Sequence, residues 1–163
     1  MIGEMNRQVM QPSKSKLGDI EAKWMILIAY LGMGILGLIT GASYVAWLVP
    51  LIIFLIDKEN KFIAFHAMQA FLLGLISTII SIILAIIMFV SVAGAVAGAA
   101  GLNPYALGAG FGAAIAVSVI GLLIGIVILI FAILAMVNGF KYQIYEIPLI
   151  GKLAEKIVFK TSN

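Results

Sequence analysis

The sequence predicts an all-α polytopic membrane protein with four transmembrane helices and a C-terminal interfacial amphipathic helix. Three observations carry this prediction. The 163-residue chain is 64% hydrophobic and 10% charged, with a mean hydropathy of +1.21, whereas soluble domains are about half apolar and a quarter charged. A chain of this size cannot enclose that much apolar surface, so lipid must solvate part of it. Four apolar runs are separated by turn signals, and every lysine and arginine falls in segments that four crossings place on one side of the membrane.

Residues 1–18 read as a flexible cytoplasmic leader, polar and mixed in charge, with Pro12 and a Ser-Lys-Ser-Lys stretch. Asp19 is the expected N-cap of the helix that follows. The first span covers about residues 24–40, with Trp24 at the interface. A cleaved signal peptide fits less well, because the leader is long. Gly41-Ala42-Ser43 is a turn signal. The second span, residues 42–56, is short of the ~20 residues that a perpendicular crossing needs, and Pro50 is expected to kink it.

A charged turn at 57–61 leads into a third span at 62–97. The fourth, at 105–140, follows a Gly/Ala-rich stretch, 93–114, broken at Asn103-Pro104. Together these make a transmembrane domain over residues 19–147. Residues 148–163 form a surface helix and tail, with Leu149, Ile150, Leu153 and Ile157 opposite Lys152, Glu155, Lys156 and Lys160. Such a helix is expected to lie flat on the membrane, its basic face toward anionic lipid.

Residues 1–23, the 57–61 turn and residues 141–163 hold all ten basic residues, and the turns at 41–43 and 98–110 hold none. Lys and Arg set orientation. The expected location is therefore the cell membrane, multi-pass, with the N and C termini cytoplasmic.

On an ideal helix His66, Gln69, Leu73, Ser77, Ser81 and Ser91 share one face. Polar groups inside a membrane must face protein or a water-filled cavity. The expected arrangement is a structural hydrogen bond of His66 with Gln69 near the interface, with the serines bonded to their own i−4 carbonyls; a hydrophilic vestibule is the alternative. Asn138 lies at a similar depth and completes the candidate polar stripe of His66, Gln69, Ser77, Ser81 and Asn138. On the fourth helix Gly110, Ala114, Ser118, Gly121, Gly125, Ala132, Ala135 and Gly139 form a seam of small residues suited to close helix packing.

Other chemistries lack their residues. Cysteine is absent and histidine occurs once, so the usual zinc sites cannot form. There is no P-loop, no Gly-x-Ser-x-Gly elbow and no His-Glu-x-x-His. No catalytic residues, cofactor, metal or nucleic acid are expected. No acid or base lies in the middle of any span, which argues against ion-coupled transport.

Three stretches carry a family resemblance: ILIAYLGMGILGLITGASYVAWLVPLIIFLIDKENKF, FIAFHAMQAF and YQIYEIPLIGKLAEKI. The pattern at Phe62, Phe65, His66, Ala67, Gln69 and Ala70, with Pro148, Gly151 and Glu155 in the tail, resembles the Tic-twenty-like family of small membrane proteins, related to a chloroplast import subunit. The resemblance implies four helices, both termini on one side, and a role in protein translocation or membrane-protein insertion. The function expected is that of a non-enzymatic subunit or scaffold of a membrane complex. The alternative is a small oligomeric channel for neutral solutes. The expected partners are the lipid bilayer and either further copies of the chain or other membrane proteins.

Overall fold

The computed structural model describes residues 10–39 and 41–160. It is all-α, with no β-strand among the described residues. Helix α1 covers Ala22–Gly37. A 3-10 turn, Ala42–Val45, precedes α2, Leu48–Ile56. The long helices are α3, Lys61–Ala100, and α4, Pro104–Phe140; α5, Ile150–Lys160, ends the described chain. The chain divides into two compact units, one of Met1–Ile76 with Ile130–Asn163 and the other of Ser77–Leu129. Residues 1–9 of the expected leader and Thr40, the end of the expected first span, lie outside the described residues.

Among the described residues two helices, not four, are long and apolar enough to cross a membrane: α3 with 40 residues and α4 with 37. The first two expected spans fall short for a geometric reason. At 1.5 Å per residue, the 16 residues of α1 rise about 24 Å against a hydrocarbon core of ~30 Å, and α2 has 9. The shortening comes from the turn. Gly41 adopts φ 87°, a conformation that glycine takes without a Cβ penalty, and the chain reverses there. Pro50 does not kink α2 as expected. It is the third residue of the helix, where its missing N–H has no intrahelical acceptor to lose.

Within the first unit, α1 and α2 pack as a short hairpin whose apex is apolar and outward. Leu38 is 87% exposed, and Ile35, Ile39, Tyr44 and Val45 are also exposed. The apex amides of Leu38, Ile39, Ala42 and Ser43 bond to the carbonyls of Ile35, Leu36 and Ile39. Beside the hairpin, the start of α3 is enclosed on every side: each residue from Phe62 to Ala70 is buried. Helix α5 closes this unit through Gly151, Ala154 and Val158. A Cβ on Gly151 would lie 2.7 Å from that of Glu146, and the Lys61 ammonium donates to the Val158 carbonyl at 3.0 Å. The face of α5 against protein is thus Gly151-Ala154-Val158.

The second unit is a two-helix hairpin. Asn103 turns it: its amide donates to the Gly98 carbonyl at 2.8 Å, and its Oδ1 accepts the amides of Tyr105 and Ala106, capping α4 directly before Pro104. Near the turn the helices touch backbone to backbone. A Cβ on Gly98 would lie 2.5 Å from the Leu107 amide nitrogen, and one on Gly110 would lie 2.5 Å from that of Ala95. Most other side chains point outward and are large and apolar, among them Ile83, Ile86, Phe89, Ile115 and Leu122. Each arm is about two dozen residues, ~36 Å of helix.

Candidate functional site

The first turns of α3 place His66 and Gln69 three residues apart on one face. Both are fully buried. A buried amide left unpaired costs about 1–3 kcal/mol per group, and Gln69 avoids this by bonding to two other segments. Its Nε2 donates to the Tyr30 hydroxyl of α1 at 3.2 Å and to the Tyr145 carbonyl at 3.1 Å. Its Oε1 accepts the Ile147 amide at 3.2 Å. His66 Nε2 lies 3.2 Å from the Gln143 carbonyl, which makes it the protonated nitrogen, since a carbonyl only accepts. Gln69 thus treats the irregular segment between α4 and α5 as a strand edge, supplying one donor and one acceptor to residues two apart. His66 fixes the same segment two residues earlier.

Apolar groups seal this polar cluster. The rings of Phe62 and Phe65 meet His66 edge-on at 5.0 and 5.5 Å between centroids, and Phe62 stacks on Tyr142 at 5.6 Å. Gly139 makes the approach possible: a Cβ there would lie 2.7 Å from Ile26 Cγ2 and 3.4 Å from His66 Cε1.

A second buried polar contact lies at the charged turn. Asp57 is fully buried; its carboxyl accepts the Ser15 hydroxyl at 2.5 Å and the Lys16 amide at 2.7 Å. Ser15 Oγ in turn accepts the Leu17 amide, and Asn60 donates to Ser13 Oγ and the Lys14 carbonyl. Lys16 pairs with Glu59 on the surface, which holds the Glu59 carboxyl below its usual range. Lys23 does the same for Glu21.

Of the rest of the expected stripe, Asn138 turns to its own helix, donating to its i−4 carbonyl, Leu134, at 2.7 Å, and Ser81 is exposed. Ser77 and Ser81 belong to the second unit. Ser91 and Ser118 bond to the i−4 carbonyls of Ile87 and Ala114. The small-residue seam is likewise divided. Gly110 is buried against Ala95, Gly121 touches only Leu84, Ser118 is exposed and a Cβ on Gly125 would meet nothing; Ala114 is half-buried. Ala132, Ala135 and Gly139 belong to the first unit, where Ala135 and Gly139 are buried.

Tyr30, Gln143, Tyr145, Ile147 and Ser15 were not expected at either site. The available signal was FIAFHAMQAF itself, in which His66 and Gln69 share one helical face and the rest of the circumference is apolar; such a face inside a membrane protein must meet protein partners. Among the described residues no group of three or more His, Cys, Asp or Glu could hold a metal ion.

Two long apolar helices with outward aliphatic side chains have the length and composition of membrane-crossing helices. The model of the magnetosome magnetite crystal formation protein family, MamF/MmsF, matches residues 21–154. The chain belongs to that family. The comparisons with curated proteins and with solved structures gave no match. The family assignment overturns the Tic-twenty-like resemblance, and the translocation role goes with it. The matched region takes in nearly all of the three stretches behind that resemblance. Apolar helices ending in aromatic and basic residues are what any bilayer imposes, so such stretches discriminate poorly between families.

Proposed function

We propose that the chain is a non-enzymatic scaffold of the magnetosome membrane that acts in magnetite crystal formation by organising membrane components. The observation that carries this reading, with the family assignment, is the use of the buried polar groups. Gln69 and Asp57 spend their hydrogen-bonding capacity inside the chain and rigidify one end of it. The same observation disfavours the channel alternative, whose lining was to include His66 and Gln69.

In this reading the α3–α4 hairpin crosses the membrane and returns. The shorter α1–α2 hairpin enters from the same side and turns back within the hydrocarbon, where its apolar, self-bonded apex is at home. Both termini and the 57–60 turn then share one lysine-rich side, the cytoplasmic one. The opposite side shows only the uncharged Gly101-Leu102-Asn103 turn. A contribution to crystal growth through carboxylates on that side is therefore not available to this chain, which leaves assembly of other components as its role.

The chain has no cysteine, so single introduced cysteines report topology cleanly. A membrane-impermeant thiol reagent is expected to label position 103 from one side, positions 14 and 152 from the other, and position 42 from neither. Labelling of 14 and 103 from the same side would overturn the topology, and labelling of 42 beside 103 would make the first hairpin a full crossing. The functional half is tested in a magnetite-forming cell lacking its own family member. Restored crystals are expected, and unchanged defective crystals despite normal membrane insertion reject the reading.

A further inference from the structure

Helix α5 shows protein its small-residue face, Gly151, Ala154 and Val158. The opposite face is left outward, and its composition is specific. Leu149 is 87% and Leu153 47% exposed, with Lys152 and Lys156 exposed between and beside them. At 100° per residue, Lys152, Leu153 and Lys156 fall within one outward arc centred opposite Ala154 and Val158. No acid shares that arc. Glu155 is half-buried; burial, with the charge of Glu155 adding to it, raises the Glu146 carboxyl above the ordinary value.

We propose that this face docks on the anionic headgroup layer of the membrane that holds the protein. Leu149 and Leu153 enter the boundary between headgroups and acyl chains, and Lys152 and Lys156 pair with lipid phosphates. Charge complementarity selects this occupant. Two ammonium groups flanking two leucines suit a negatively charged, partly apolar layer, whereas a soluble partner would have to bury both lysines. Packing through Gly151, Ala154 and Val158 places the helix beforehand, so the lipid contact need not also cover the cost of helix formation that defeats short isolated segments. Docking here would hold the Gln143–Ile147 segment, and with it the cap on Gln69, at the membrane surface.

This inference rests on the membrane reading above, and its test separates the two. Leu149→Cys and Ile86→Cys proteins, each carrying an environment-sensitive fluorophore, are reconstituted into phosphatidylcholine vesicles with or without phosphatidylglycerol. Quenching is read with spin-labelled lipids, shallow and deep. The position 86 probe is expected to be quenched by the deep label in both compositions; if it is not, the membrane reading itself fails. The position 149 probe is expected to be quenched by the shallow label only with anionic lipid, its docked fraction rising about tenfold or more, the scale two lysines supply at an anionic surface. Lys152→Gln with Lys156→Gln, or high salt, should remove that rise. Equal position 149 quenching in both compositions, or none while position 86 is quenched, overturns the proposal.

Discussion

Gln69 and Ile147 are 78 residues apart in sequence and meet through a single hydrogen bond, Ile147 N–H to Gln69 Oε1 at 3.2 Å. With the Nε2 bond to the Tyr145 carbonyl, it makes one side chain the terminus for an irregular segment. Gln69→Leu keeps the size and strands a buried donor and acceptor, so a loss of about 2–4 kcal/mol is expected. Gln69→Glu keeps the acceptor and loses the donor, and should also destabilise. Thermal unfolding in detergent measures both. An unchanged midpoint for Gln69→Leu would mean that the segment is held by its apolar contacts alone.

The glycines of α4 should fall into two classes. Gly139→Leu must displace Ile26 and the His66 ring, and Gly110→Leu must part α4 from the Ala95 backbone. Overpacking of this kind costs about 1–3 kcal/mol or more. Gly125→Leu meets nothing and should be neutral or slightly stabilising through better helix propensity. Expression level and detergent melting read the contrast; equal damage at Gly125 would show that its open face is covered in the membrane.

Asp57 anchors the loop before α1. Asp57→Ala removes the acceptor for both the Ser15 hydroxyl and the Lys16 amide, at a cost of about 3 kcal/mol for hydrogen bonds to a charged group. Trypsin should then cleave after Lys14 and Lys16 roughly tenfold faster or more, because cleavage follows the population of the open loop. Asp57→Asn, which keeps one acceptor, should fall between.

Glu146 sets a pH dependence of definite sign. Burial, reinforced by Glu155 and partly offset by Lys152, raises its carboxyl above the ordinary 4.5. The folded state then holds this proton to higher pH than the unfolded chain, so the group's contribution to stability falls as pH rises from about 4.5 through the raised folded value. Glu146→Gln should remove that part of the slope and melt higher than the parent at neutral pH. Glu21 and Glu59 act in the opposite sense, since their carboxyls are lowered, so the difference between variant and parent isolates Glu146.

Much of the architecture was legible because the bilayer imposes few rules. The Asn103-Pro104 break and the long runs either side of it follow from turn chemistry and hydropathy. Helix length at the first hairpin was less legible. The reversal at Gly41 rests on its φ of 87°, which the residue type permits but does not announce, and Leu38, Ile39 and Tyr44 read as span residues in either case. At the site, FIAFHAMQAF pointed to His66 and Gln69, but their partners are backbone groups of residues 143, 145 and 147, and a backbone carbonyl carries no residue-type signal. Helical projection also over-extended both patterns. A face computed along one ideal helix cannot show that Gly121 and Gly125 have different neighbours from Gly139.

The enclosure of Phe62 to Ala70 bears on how the protein is made. These residues are all buried in the folded chain, and what surrounds them includes Gln143, Ile147 and α5, which leave the ribosome long after α3. The start of α3 must therefore wait, with His66 and Gln69 unpaired, while the α3–α4 hairpin inserts. Residues 143–160 complete this unit, so a chain truncated before Gln143 should insert its hairpin and still be degraded.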